Sequence, residues 1–341
     1  STRGDFDVTE VFVETRLPLL KNLPFVKSLS AALAARGSDY STVGRVASWN
    51  AGLEWAATPD LKLRLSRTQS TRAPNINELF APPSETFPPG LSDPCVGVTA
   101  VSTGTTSERC RAAAGVNANI AANGAFRATQ TDLQSISGFD RGNPQLREET
   151  GRSFTAGLVF TPSGIPALRN LTLTVDYYKI DIEDAIVATP RQFILTQCYS
   201  GDASFCRFIT RRANAAGPNS AGSISFLNAE DANSGGESVQ AVDLTAAYAL
   251  ALGPGRLSTR LAYTWLKEGY RVPLPGAERD PFAGEIGSPK HKAAFDLGYD
   301  SGPFGIRTTT TYLHESAVDD QFLASSFAPS GRVPAGSVTV P

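Results

Sequence analysis

Residues 61–72 read LKLRLSRTQSTR: Leu61, Leu63 and Leu65 alternate with Lys62, Arg64 and Ser66. Strict alternation is the period of a β-strand, whose successive side chains leave opposite faces of a sheet. Leucines on one face and charge on the other exclude a strand buried on both sides. They also exclude a helix, whose longer period would mix the two sets. The pattern recurs along the chain. Phe154, Ala156, Leu158 and Phe160 oppose Ser153, Thr155 and Gly157, and Leu171, Leu173, Val175 and Tyr177 oppose Thr172, Thr174 and Asp176. Val242, Leu244 and Ala246 oppose Asp243 and Thr245, and Leu257 and Leu261 oppose Arg256 and Arg260. The period predicts about ten strands, at 8–20, 28–40, 48–58, 61–73, 148–162, 170–186, 237–252, 255–271, 290–301 and 304–316.

Their length carries the next constraint. No apolar run approaches the roughly 20 residues of a membrane-spanning helix. A spanning β-strand needs only about 9–11 residues, every second one apolar. The connections sort by length: 20–27, 58–60, 161–169, 253–255 and 301–303 are short, while the intervening 41–47, 74–147, 187–236 and 272–289 are longer. In an up-and-down sheet, alternate connections lie at one end. The pattern therefore predicts an all-β, antiparallel up-and-down transmembrane β-barrel with tight turns at the periplasmic end and long external loops. The leucines of 61–65 then face lipid, and Glu54, Lys62, Arg64, Asp176, Asp243 and Arg260 face a wet or plugged interior. Most of Trp49, Trp55, Tyr177, Tyr178, Tyr263, Trp265, Tyr299 and Tyr312 are expected on the lipid face or its interfacial girdle. A net charge of −2 argues against a nucleic-acid partner. The sequence has no Met, so residue 1 is not a translational start and the chain is expected to be a processed product or a piece of something longer.

Five segments in order carry a family resemblance. TRAPNINELFAP (71–82), GNPQLREETGRSFTAGLVFTP (142–162), LTVDYYKIDIEDAI (173–186), GGESVQAVDLTAAY (235–248) and GSPKHKAAFDLGY (287–299) resemble successive strand and strand-to-loop motifs of TonB-dependent outer-membrane receptors. The resemblance implies a 22-stranded barrel around an N-terminal plug that carries an energy-coupling box. Residues 1–341 show neither plug nor box, and end PAGSVTVP without a closing strand that finishes on an aromatic residue. The chain is accordingly read as an internal barrel segment of about ten strands, with an open edge at each cut.

Cys95 and Cys110 fall in loop 74–147, and Cys198 and Cys206 in loop 187–236. An envelope location permits disulfides. Two intraloop bridges are favoured over a metal site, because no Cys-x-x-Cys pair exists and the only histidines, His291 and His314, are far apart in sequence. No catalytic constellation emerges: there is no Gly-x-Ser-x-Gly and no phosphate-binding glycine loop. Glu148-Glu149 and Asp319-Asp320 read as solvated rim charges. No cofactor or resident metal is expected. A short helix is possible within 190–213.

Loop aromatics and arginines have the best claim to ligand contact: Phe80, Phe87, Phe139, Tyr199 and Phe205, with Arg109, Arg127, Arg141, Arg207 and Arg211. Phe126, Phe226 and Arg212 belong to the wider set, and Arg211-Arg212 could also meet outer-leaflet lipopolysaccharide. The resemblance implies energy-coupled uptake of a scarce nutrient, a ferric siderophore first and a saccharide or other organic nutrient next. It also implies outer-membrane lipid around the barrel and an inner-membrane TonB complex reached through the plug. A passive porin is the alternative.

Overall fold

The computed structural model describes residues 2–272, 274 and 279–319, and the backbone of 339–340. Asp320, and residues 334–338 and 341 of the PAGSVTVP end, lie outside the described residues. The chain divides into a strand unit (7–73, 148–185 and 234–341) and a loop unit (1–6, 74–147 and 186–233).

The strand unit is an antiparallel meander. Its strands are β1 (Val8–Leu23), β2 (Val26–Tyr40), β3 (Gly44–Ala56), β4 (Leu61–Arg72), β5 (Glu149–Phe160), β6 (Leu171–Ala188), β7 (Ala229–Leu252), β8 (Gly255–Val272), β9 (His291–Ser301) and β10 (Phe304–Leu313). They hydrogen-bond in chain order, and among the described residues β1 and β10 are the two ends of that path. All ten expected strands are present. Strand β7 starts at Ala229 rather than 237. Among the described residues no helix is long and apolar enough to cross a membrane, which leaves crossing by strands untouched.

The register keeps the two faces apart through the middle of the meander. Leu53 pairs with Leu65, Leu65 with Ala156 and Ala156 with Tyr177, while Leu63 pairs with Leu158 and Leu158 with Val175. Farther along, Leu244 pairs with Tyr263 and Tyr263 with Ala293, and Leu261 pairs with Phe295. Polar residues pair on the opposite face: Glu54 with Arg64, Arg260 with Asp296 and Asp296 with Thr309. A one-residue slip would exchange the faces, so the alternation itself fixes the register.

Turn chemistry fits the tight hairpins. Leu252 pairs with Gly255 and Ser301 with Phe304, which leaves Gly253-Pro254 and Gly302-Pro303 as two-residue loops. Both first glycines have φ of +56°, which glycine adopts without a Cβ penalty. Pro18 sits at a register shift in β1, where a missing N–H is tolerated. One connection departs from expectation. Tyr40 pairs with Gly44, so 41–47 is not a long loop but a tight turn at 41–43. The Ser/Asp/Tyr/Ser/Thr composition resembles a loop, yet Gly44 at φ +76° lets β3 begin there.

The loop unit contains α1 (Ile76–Phe80), α2 (Thr105–Ala112), α3 (Val116–Asn123), α4 (Gln130–Gln134) and α5 (Arg191–Ser200), the last being the helix allowed for within 190–213. Capping boxes start two of them: Asn75 with Glu78 before α1, and Thr129 with Asp132 before α4. Burial raises the Asp132 carboxyl, but bonds from Thr129 and Ser220 outweigh it and hold the group below its ordinary value.

Candidate ligand-binding face of the loop unit

Two apolar cores hold the loop unit. The first gathers Cys95, Cys110, Val116, Ile120, Phe126, Cys198 and Tyr199, and the second Ile136, Ile194, Leu195, Phe208, Ile224 and Leu227. Both draw on the two long chain segments. The expected disulfides are formed: Cys95–Cys110 closes 15 residues and Cys198–Cys206 closes 8.

Arg211 lies in the first core, its side chain 2% exposed against a 3% exposed Asp93. Its Nε donates to the Tyr199 hydroxyl at 2.6 Å, and its terminal nitrogens donate to both Asp93 carboxylate oxygens at 2.7 and 2.8 Å. The Gly222 carbonyl and Cys95 Sγ accept the other two bonds. Five donors meet five acceptors, which is the full capacity of a guanidinium. The ring faces of Phe126 and Tyr199 lie 5.6 and 5.0 Å from its Cζ. Burial opposes the charge, but Asp93 and Tyr199 outweigh it and hold Arg211 above its ordinary pKa. Burial likewise pushes the Tyr199 hydroxyl up, against the pull of Arg211.

This geometry sorts the expected ligand residues. Arg211, Tyr199 and Phe126 are internal. Arg211 is a correction: the doublet Arg211-Arg212 reads as a charged surface, but strand alternation turns Arg211 into the core. Arg212 bonds Ser223 Oγ and the Ile224 carbonyl. Arg109 ties the segments together through the Cys198 and Gly201 carbonyls, at 2.9 and 2.8 Å. Phe205 packs edge-on against Phe193 at 5.5 Å. Beside α2 and α5, a cleft of about 350 Å³ is lined by Arg109, Ala113, Tyr199, Cys206, Ile209 and Arg211. Its largely apolar wall suits an apolar group rather than an anion.

Other candidates converge on a surface. The short strands Ser84–Thr86 and Gly138–Arg141 pair antiparallel, and Asp140-Arg141 pairs with Ala229-Glu230 of β7 in parallel. Phe139 and Arg141, two residues apart, leave the same face of this ribbon. Phe139 stacks on Phe226 at 6.5 Å with rings 9° from parallel. Glu230 accepts from Arg141 on one carboxylate oxygen and from Arg207 on the other, both at 3.0 Å. Both arginine side chains remain more than half exposed. The surface is therefore a pair of stacked rings beside two arginines that one buried-side acid holds in place. Phe87 is 68% exposed beyond this ribbon, and Phe80 is borderline exposed. Arg127 is exposed and joins neither group. Sequence reading misses Glu230 and Asp93, the acids that organise the arginines; both lie in polar runs that give no signal of pairing.

Within the strand unit, Glu54, Lys62, Arg64, Asp176, Asp243 and Arg260 fall on the polar face. Arg64 donates to both Asp176 oxygens, at 3.0 and 2.6 Å, across the intervening strand β5. Gly157 is the residue between them in register. A Cβ there would lie 2.0 Å from Asp176 Oδ1 and 2.6 Å from Arg64 Nε, so the bare backbone is what lets the pair close. Glu54 accepts from Arg16 at 2.6 Å. Asp243 keeps one buried carboxylate oxygen without a hydrogen-bond partner among the described residues.

Family and structural comparisons agree on what this architecture is. Residues 1–339 match the family model described as TonB dependent receptor-like, beta-barrel. The chain belongs to that family. As a TonB-dependent receptor barrel it is a bacterial outer-membrane chain, and apart from the tight turn at 41–43 its short and long connections follow the asymmetry of that class. No curated protein matches it. Among solved structures, this receptor barrel is similar to the siderophore receptor PirA from Acinetobacter baumannii, at 14% identity and a TM-score of 0.52 over 99% of this chain and 39% of that one. It is also similar to a point mutant of the ferric enterobactin receptor PfeA from Pseudomonas aeruginosa, with enterobactin bound, at 14% identity and a TM-score of 0.52. That match covers 92% of this chain and 33% of PfeA. The chain thus spans between a third and two fifths of the receptors it matches.

Proposed function

We propose that the chain is the barrel-and-loop portion of an outer-membrane receptor for energy-coupled uptake of a scarce nutrient. A ferric siderophore is the first choice of cargo, and a saccharide or other organic nutrient the next. One observation carries the reading: the Phe139–Phe226 stack beside Arg141 and Arg207. Stacked rings take flat apolar or aromatic groups, and the free edges of the arginines take anionic oxygens. A ferric siderophore offers both kinds of group. PirA and PfeA, named as siderophore and ferric enterobactin receptors, support the choice. The loop unit catches the ligand and holds its face rigid through two disulfides and the Arg211–Asp93 pair. The polar strand face meets a plug or the lumen, and the apolar face meets lipid. A plug pulled by the inner-membrane energy complex then opens the path.

The test uses the intact receptor that carries this chain, in outer membranes, with radiolabelled iron on a panel of siderophores. Uptake should saturate, stop on addition of a protonophore, and lose about tenfold or more in apparent affinity in the double variant Phe139→Ala/Arg141→Ala. Uptake indifferent to the protonophore, with a conductance graded by solute size, would replace this reading with a porin.

A further inference from the structure

His291 and His314 are the only histidines of the chain, and 23 residues of sequence hide their relation. In the sheet they are neighbours. Lys292 pairs with Leu313, so the next pair outward is His291 with His314, and the His314 N–H donates to the His291 carbonyl at 2.9 Å. Their ring centroids are 5.2 Å apart. His291 is fixed from the other side. Its Nδ1 lies 2.7 Å from the Tyr263 hydroxyl, and its ring stacks against Tyr263 and Trp265.

We infer that His291 and His314 form a two-histidine site for a borderline-soft divalent transition ion, Zn²⁺, Cu²⁺ or Ni²⁺, at the loop end of β9 and β10. Three observations carry it. First, the spacing fits. An ion about 2.0–2.1 Å from each ring nitrogen lies ~3.2 Å from each centroid, and a tetrahedral angle then sets the centroids roughly 5.2 Å apart. Second, with its Nδ1–H donating to the Tyr263 hydroxyl, His291 presents an unprotonated Nε2 to the ion. A ligating histidine ordinarily has its other ring nitrogen held in this way. Third, the alternation sends Lys292 to the opposite face, away from the ring pair. Among the described residues no third His, Cys, Asp or Glu joins the pair, so water completes the shell. Imidazole ligands with water select this class of ion over Mg²⁺ or Ca²⁺, which take oxygen donors. The site is independent of what the loop unit binds.

The experiment titrates Cu²⁺ and Zn²⁺ into the full receptor, stripped with chelator and purified in detergent, by calorimetry. Electron paramagnetic resonance of the copper form reads the ligands directly. The expected result is one ion per chain, a copper spectrum with two coupled nitrogens, and at least tenfold weaker binding in His314→Gln. Tyr263→Phe, which leaves both imidazoles, should weaken binding about tenfold. Should His291→Gln disturb the strand end it packs against, His314→Gln, just past the end of β10, still decides the question. Equal affinity in wild type and His314→Gln, or no stoichiometric binding to wild type, would overturn the site.

Discussion

The two units use the same chain to solve opposite problems. The loop unit hides its apolar residues: apart from Val46, Pro162, Ala241 and Leu274, every buried hydrophobic side chain described belongs to it. It behaves like a small secreted domain, with disulfides and a saturated buried ion pair supplementing a core that two chain segments share. The strand unit leaves its apolar residues out. Val11, Val13, Leu65, Phe295 and Ile306 are all exposed, and its order rests on backbone ladders. Such a surface suits hydrocarbon, where satisfied backbone bonds are the requirement and apolar burial comes from the surroundings. Stability in one unit is thus a property of packing, and in the other a property of the solvent.

Three perturbations separate the two. Arg211→Met leaves Asp93 buried and unpaired, and should destabilise the loop unit by about 3–5 kcal/mol. Limited proteolysis should then cut within 74–147 or 186–233, while the strand unit keeps its heat-resistant gel mobility. Pairing it with Asp93→Leu should restore much of the protection, since an apolar replacement removes the orphan charge. Cys95→Ser with Cys110→Ser, which opens a 15-residue closure, should cost about 3 kcal/mol, read as the same proteolysis at lower denaturant. Leu63→Arg should cost about 2 kcal/mol in folding into bilayers, with Arg64→Leu far milder, because only the first puts charge on the apolar face. Equal effects of Leu63→Arg and Arg64→Leu would erase the distinction between the faces.

The same contrast decides what can be read from sequence. The strand unit is legible because a membrane imposes one rule on every strand, and Leu61 to Leu65 state it as plainly as Leu257 to Tyr263. Even there, 41–47 misleads, since a tight turn and a polar loop share a composition. The loop unit obeys tertiary rules. The two capping boxes are local and readable, whereas the burial of Arg211 depends on Asp93, 118 residues away. Arg141 and Arg207 are recognisable as candidates, but Glu230, which joins them, is not. The histidine pair fails for a related reason: sequence separation measures contour length, and a hairpin cancels it.

Arg109, Arg211 and Asn119 each stitch one long segment to the other, through Cys198, Asp93 and Ala221. Neither segment, then, can reach its final form alone. During biogenesis the first must wait for the second, which emerges only after two further strands. Both disulfides, by contrast, close within a single segment. Oxidation can therefore precede the meeting and deliver two pre-shortened halves to be joined. A chimaera that exchanges one segment between related receptors would inherit half of every stitch, so the heritable module of this receptor is the pair of loops.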